Sequence, residues 1–123
     1  MPEKSPQKVF VVDDESVIVL TLTAILNKFG FSARGFQTAK DVIQAAESEC
    51  PDLLITDVSM PGMNGIDLAI QLKSHCPSCK VVLFSGHATT AGLLEAARGQ
   101  GHEFTLLTKP IHPKDLLAAI EKL

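Results

Sequence analysis

Short apolar runs alternate five times with stretches whose apolar residues recur every three or four positions. The first run, KVFVV at Lys8 to Val12, is too short and too β-branched for a buried helix and predicts a strand. Ile18, Leu22, Ile25 and Phe29 follow at helical spacing, with Ser16 placed to cap the start and Gly30 the end. FSARGF (Phe31 to Phe36) predicts a weaker, partly polar strand suited to an outer position. Thr38 can cap a helix carrying Val42, Ile43 and Ala46, which ends before Cys50-Pro51. LLIT (Leu53 to Thr56) predicts a third strand stopping at Asp57, and MPGMNG (Met60 to Gly65) reads as loop.

Ile66, Ala69 and Ile70 mark the next helix, which ends near Cys76-Pro77. VVLF (Val81 to Phe84) is the fourth strand. A helix with Leu93, Leu94 and Ala97 starts at Thr89 or Thr90 and breaks up at GQG. FTLL (Phe104 to Leu107) is the fifth strand. His112-Pro113 opens a last helix striped by Leu116, Leu117, Ile120 and Leu123, with proline suited to its first position. Uninterrupted apolar strands between helices imply a parallel sheet covered on both faces, hence a doubly wound α/β sandwich. The pattern does not determine the strand order.

The chemistry concentrates where strands end. Asp13 and Asp14 follow the first strand, Asp57 the third, Ser85 the fourth, and Thr108 and Lys109 the fifth. Open parallel sheets bind ligands at the carboxyl ends of their strands. One aspartate there is more often a helix cap, and one lysine more often solvated, but three carboxylates, a hydroxyl and an ammonium on one rim resist that account. Clustered carboxylates repel unless a cation compensates, and Lys109 with a divalent metal can supply it. All-oxygen ligands suit Mg2+, and these are the parts that phosphoryl transfer to a carboxylate needs.

Composition narrows the field. At 123 residues, 46% hydrophobic and 20% charged, the chain fits one globular domain. A net charge of -3 gives no basic face for direct nucleic-acid binding. No apolar run approaches the roughly 18 residues of a membrane helix, and MPEKSPQK lacks a signal-peptide core. The expectation is a cytoplasmic protein with a short tail at 1–7 and one domain at 8–123.

The motifs VVDDE, TDVSMPGMNG, FSG and LLTKP, in that order, resemble the receiver domain of two-component response regulators over roughly residues 8 to 123. The resemblance implies a (βα)5 flavodoxin-like, CheY-like sandwich with strand order 2-1-3-4-5. It implies that Asp57 accepts a phosphoryl group from a phosphohistidine on a sensor histidine kinase or phosphotransfer protein. Asp14, Asp57 and the Ser59 backbone carbonyl would ligate Mg2+, with Asp13 acting through water. Lys109 would contact the phosphoryl group, a cis bond to Pro110 would hold its loop, and Ser85 would swing toward the aspartyl phosphate. Such a switch is no enzyme beyond its own phosphotransfer and dephosphorylation. It would signal to a downstream protein or output domain through the face of the fourth helix, fifth strand and last helix, where Glu95, Arg98, Lys114, Glu121 and Lys122 carry both signs, and dimerisation is open to it.

Relatives usually carry an aromatic residue three positions before the lysine. Leu106 stands there instead, with Phe104 on the same side by strand alternation, so the usual aromatic switch is in question. Ser59 and His87 fall where relatives tune phosphoryl lifetime; for His87 a solvated loop residue is an equal reading. Three cysteines, an odd number, argue against a disulfide framework. Cys50, His75, Cys76 and Cys79 sit at the rim opposite Asp57, where small buried thiols are the preferred reading and a zinc cluster the second. Two other functions compete. One is a degenerate receiver, a binding module never phosphorylated, against which the complete set of site residues argues. The other is a phosphatase of the haloacid dehalogenase type, whose second aspartate is replaced by Ser59.

Overall fold

The computed structural model describes residues 7–86, 95, 98–99 and 104–123. Five parallel strands, β1 (Lys8–Val12), β2 (Ser32–Phe36), β3 (Leu53–Asp57), β4 (Lys80–Ser85) and β5 (Thr105–Thr108), form one sheet in the order β2-β1-β3-β4-β5. Between them lie α1 (Ser16–Lys28), α2 (Ala39–Ser48) and α3 (Gly65–His75), and the C-terminal helix spans Pro113–Glu121. The expected doubly wound sandwich and its strand order are borne out.

Side chains alternate across each strand, so each strand feeds two cores. Phe10, Val12, Leu54 and Leu83 point to one face and pack with Val42 and Ala46 of α2 and Leu68 and Leu72 of α3. Val9, Val11, Ile55, Val82 and Phe84 point to the other, against Leu22 and Leu26 of α1 and Leu116 of the C-terminal helix. With both faces buried, no strand position is left for a polar residue until the rim, which is why β1, β3 and β4 read as unbroken apolar runs. β2 lies at the edge and is largely exposed, as its polar content anticipates.

Most element ends follow local chemistry. Thr38 Oγ1 accepts from the Asp41 N–H at 3.1 Å to cap α2, and Pro113 opens the C-terminal helix after His112. Gly30, at φ +94°, follows the end of α1 as expected. Ser16 does not cap α1: it is the first helical residue, and Glu15 holds the cap position without a side-chain bond. The Glu15 N–H donates instead to Asp13 Oδ1 at 2.9 Å, so a site residue ties down the start of this helix.

β2 begins one residue later than predicted and β5 is shifted by one, because Thr108 pairs with Ser85 while Phe104 packs into the α2–α3 core. The helix predicted from Thr89 or Thr90 lies largely outside the described residues, as does His87; within it, Arg98 pairs with Glu95 at 3.4 Å. No helix among the described residues is long and apolar enough to cross a membrane.

Candidate functional site at the carboxyl ends of the strands

The sheet register assembles the site. Val12 pairs with Thr56 and Phe84 with Asp57. The next positions in chain order, Asp13 and Ser85, therefore flank Asp57 on either side. Asp13, Asp57 and Ser85 are buried, at 0%, 4% and 4% exposure, whereas Asp14 is exposed. Carboxylate oxygens of Asp13, Asp14 and Asp57 all lie within 4.8 Å of one another.

Lys109 closes the cluster from β5. Its Nζ donates to Asp57 Oδ2 at 3.2 Å and lies 3.1 Å from Asp13 Oδ2. The Lys109 N–H donates to the Ser85 carbonyl at 3.0 Å, anchoring the lysine backbone to β4. Its ammonium also lies 5.2 Å from the Phe84 ring centroid, within cation–π reach. Phe84 escaped the sequence reading because nothing distinguishes it from its apolar neighbours in VVLF. The Lys109–Pro110 bond is cis, as the resemblance implied. Ser59, exposed two residues past Asp57, donates its N–H to Asp57 Oδ1 at 3.2 Å. Each Asp57 oxygen thus has a donor among the described residues.

The charges are not balanced. Burial, with help from Asp14 and Asp57, holds the Asp13 carboxyl above the usual carboxylate range, although the Glu15 N–H and Lys109 favour its ionised form. Burial opposes the Lys109 charge, but its close pairing with Asp13 and Asp57 outweighs it and raises its pKa above the ordinary lysine value. Asp13 Oδ2 is fully buried and, among the described residues, accepts no well-directed hydrogen bond. Three close carboxylates facing one ammonium, with an unsatisfied oxygen between them, form a hard oxygen donor set that fits a small divalent cation.

The loop after β3 is held close by α3. Gly65, the first helical residue, donates to the Val58 carbonyl at 2.8 Å, and a Cβ at this position would run into the Asp57 carbonyl. Asn64 caps α3 by accepting from the Asp67 N–H at 2.8 Å. Neither role is evident in MNGID, where a glycine reads as generic loop. Leu106 lies on β5 at 38% exposure, and Phe104, half-buried just before β5, packs against the core on the α2–α3 face.

The opposite rim corrects an expectation. Cys50 and Cys76 are joined in a disulfide across 5.8 Å between Cα atoms, and Cys79 is a buried free thiol. The Cys50, His75 and Cys76 ligand atoms do cluster within 4.8 Å. Their two sulfurs are consumed by the bridge, however, and cannot serve zinc as thiolates. An odd cysteine count leaves one thiol over; it does not prevent two others from pairing.

The model of the response regulator receiver domain matches residues 9–121. The transcriptional regulator NtrC of Proteus hauseri is 36% identical over 114 residues, covering 93% of this chain and 24% of the relative. The chemotaxis protein CheY of Thermotoga maritima is 27% identical over 94% of this chain and 96% of its own length. The chain therefore spans about a quarter of its NtrC relatives and nearly all of a CheY. A crystal structure of a response regulator receiver domain protein from Clostridium thermocellum superposes with a TM-score of 0.84 at 28% identity, covering 94% of this chain and 92% of that one. By this match over nearly its whole length, the chain belongs to the response regulator receiver domain family.

Proposed function

We propose that the chain is a phosphoryl-accepting signalling switch in which Asp57 is the acceptor, Mg2+ the cofactor and a histidine kinase or phosphotransfer protein the donor. The observation that carries this reading is the buried Asp57 carboxylate, 3.2 Å from Lys109 Nζ and grouped with Asp13 and Asp14. An Asp57 oxygen attacks phosphorus as the phosphorus–nitrogen bond of the phosphohistidine breaks, and the imidazole departs with that electron pair. Asp13, Asp14 and Asp57 would hold Mg2+, with the Ser59 carbonyl as a further ligand. Mg2+ held there would neutralise charge on the phosphoryl oxygens.

Lys109 supplies the protein's own positive charge beside both Asp13 and Asp57 and follows the phosphoryl oxygens once they arrive. Ser85 sits on the neighbouring strand, where its hydroxyl can turn to the aspartyl phosphate and carry the change into β4 and β5. Phosphorylation then biases a two-state equilibrium through contacts made in only one state. The chain turns over no outside substrate, since Ser59 replaces the acid/base that a phosphatase of this chemistry requires.

A docking surface for the donor lies beside the acceptor. Val17 is 71% exposed, and an apolar groove of about 390 Å³ runs along Val17, Ile18, Leu22, Pro110 and Ile111 to Lys109. Downstream, the β5 and C-terminal helix face, with Lys114, Glu121 and Lys122 exposed, offers mixed charge to a protein partner in the cytoplasm.

The test is the intact mass after incubation with acetyl phosphate and Mg2+. One phosphoryl adduct that requires Mg2+ and is absent from Asp57→Asn is expected. If neither the adduct nor beryllofluoride-induced NMR shifts around Asp57 are seen, the chain is instead a binding module that works without phosphorylation.

A further inference from the structure

The rim opposite Asp57 holds a second constellation that the phosphoryl chemistry does not use. Cys50, just before β3, is exposed, while Cys76 caps the end of α3 and is buried at 3% exposure. The bridge between them spans 26 residues and encloses β3, the loop after Asp57 and all of α3. The exposed imidazole of His75 lies within 4.8 Å of both sulfurs. The third cysteine, Cys79, is buried, with its thiol 3.4 Å from the Lys80 carbonyl.

We propose that this corner is a reversible thiol–disulfide exchange site whose co-reactant is a dithiol. The two sulfurs have different environments. Cys50 faces solvent, where an incoming thiolate can reach it; Cys76 is sheltered from attack, and the His75 ring beside it assists its departure. The thiolate attacks Cys50 Sγ, the Cys50–Cys76 bond breaks, and Cys76 departs as a thiolate that takes a proton from water relayed through the adjacent His75 ring. The second thiol of the dithiol, as thiolate, then attacks its own sulfur in the mixed disulfide and releases the Cys50 thiolate, which is protonated by water. The dithiol is oxidised by two electrons to a disulfide, and the protein's disulfide is reduced to two thiols.

Two features make the site exchangeable rather than only a staple. Cys79 does not compete, because burial pushes its thiol up to about 11 and keeps it in the unreactive protonated form. The neighbourhood is also held without the bridge. Lys8 N–H donates to Asp52 Oδ2 at 2.8 Å, Lys80 N–H to the Asp52 carbonyl at 3.0 Å, and Lys8 pairs with Glu49. The fold therefore survives opening of the ring.

The experiment treats the air-oxidised full chain with dithiothreitol under native conditions, quenches in acid, and counts N-ethylmaleimide labels by intact mass after denaturation. One label before reduction, on Cys79, and three after are expected, with oxidised glutathione restoring the first state. The reduced chain should still unfold cooperatively, with Tm lower by about 10 °C from the loss of the 26-residue ring. The native reduction rate should rise in proportion to dithiothreitol and fall several-fold in His75→Ala. Three labels before any reductant, or a rate that saturates at the unfolding rate, would overturn the assignment. A His75→Ala rate equal to the parent's would overturn the role of the imidazole.

Discussion

Asp13 is a buried carboxylate whose second oxygen finds an ion-pair partner but, among the described residues, no aligned donor. Its raised pKa has a definite consequence for stability. A carboxyl whose folded value lies above its unfolded one stabilises the fold while protonated, and that contribution is lost as pH rises through the folded value. At neutral pH the ionised Asp13 is therefore a net cost to the metal-free protein. Asp13→Asn should raise the Tm of the metal-free chain, by a margin that opens as pH climbs from the acid side and levels off near neutrality. Thermal melts of both proteins in chelator between pH 4 and 8 check this; a margin independent of pH would contradict it. Lys109 has the opposite role. Its raised pKa makes its contribution complete at every pH below the lysine range. Lys109→Met, which leaves two carboxylates without their cation, should cost about 2 kcal/mol in denaturant melts at pH 7.

The loop that presents Asp57 depends on the first turn of α3. Gly65 lies where a side chain would meet the Asp57 carbonyl, a backbone atom that cannot swing aside. Gly65→Ala should cost about 1–3 kcal/mol by overpacking, and its amide spectrum should shift at Val58 and Ser59. The neighbouring cap gives the contrast: Asn64→Ala loses two bonds to Asp67, the cap from its N–H and an exposed side-chain bond, and should cost about 1 kcal/mol, leaving Ser59 unmoved. Urea melts paired with amide spectra separate the two cases. These elements also mark the limit of what the sequence discloses. Thr38 and Pro113 act through their own backbone neighbourhood, so their roles are legible in it. Gly65 acts through a contact with β3 that only the folded chain creates, and in MPGMNG it looks like one more loop glycine. The one-residue shift of β5 has the same origin, since pairing with Ser85, not local preference, decides where that strand ends.

At the scale of the molecule, apolar periodicity disclosed alternating strands and helices, but their order in the sheet came from the resemblance of four motifs. The rim residues were legible because polar groups break apolar runs at strand ends. The disulfide was not, because pairing depends on the separation of Cys50 and Cys76 in space and leaves no local trace. The two ends of the sheet then make a last prediction. A cation held by Asp13, Asp14 and Asp57 binds only the folded chain, so Mg2+ at a hundred times its dissociation constant should add about 2.7 kcal/mol, a rise in Tm of roughly 10 °C. Reduction of the Cys50–Cys76 bridge lowers Tm from the other end of β3, a five-residue strand about 17 Å long. Perturbations that far apart with no shared partner add. The Mg2+ increment in free energy should therefore be the same in oxidised and reduced protein, and absent from Asp13→Asn/Asp14→Asn in both. Melts at matched Mg2+ in the two redox states measure it directly. A smaller increment in the reduced chain would mean that the ring around β3 and α3 shapes the metal-binding end, and that the two rims are coupled through the strand that carries Asp57.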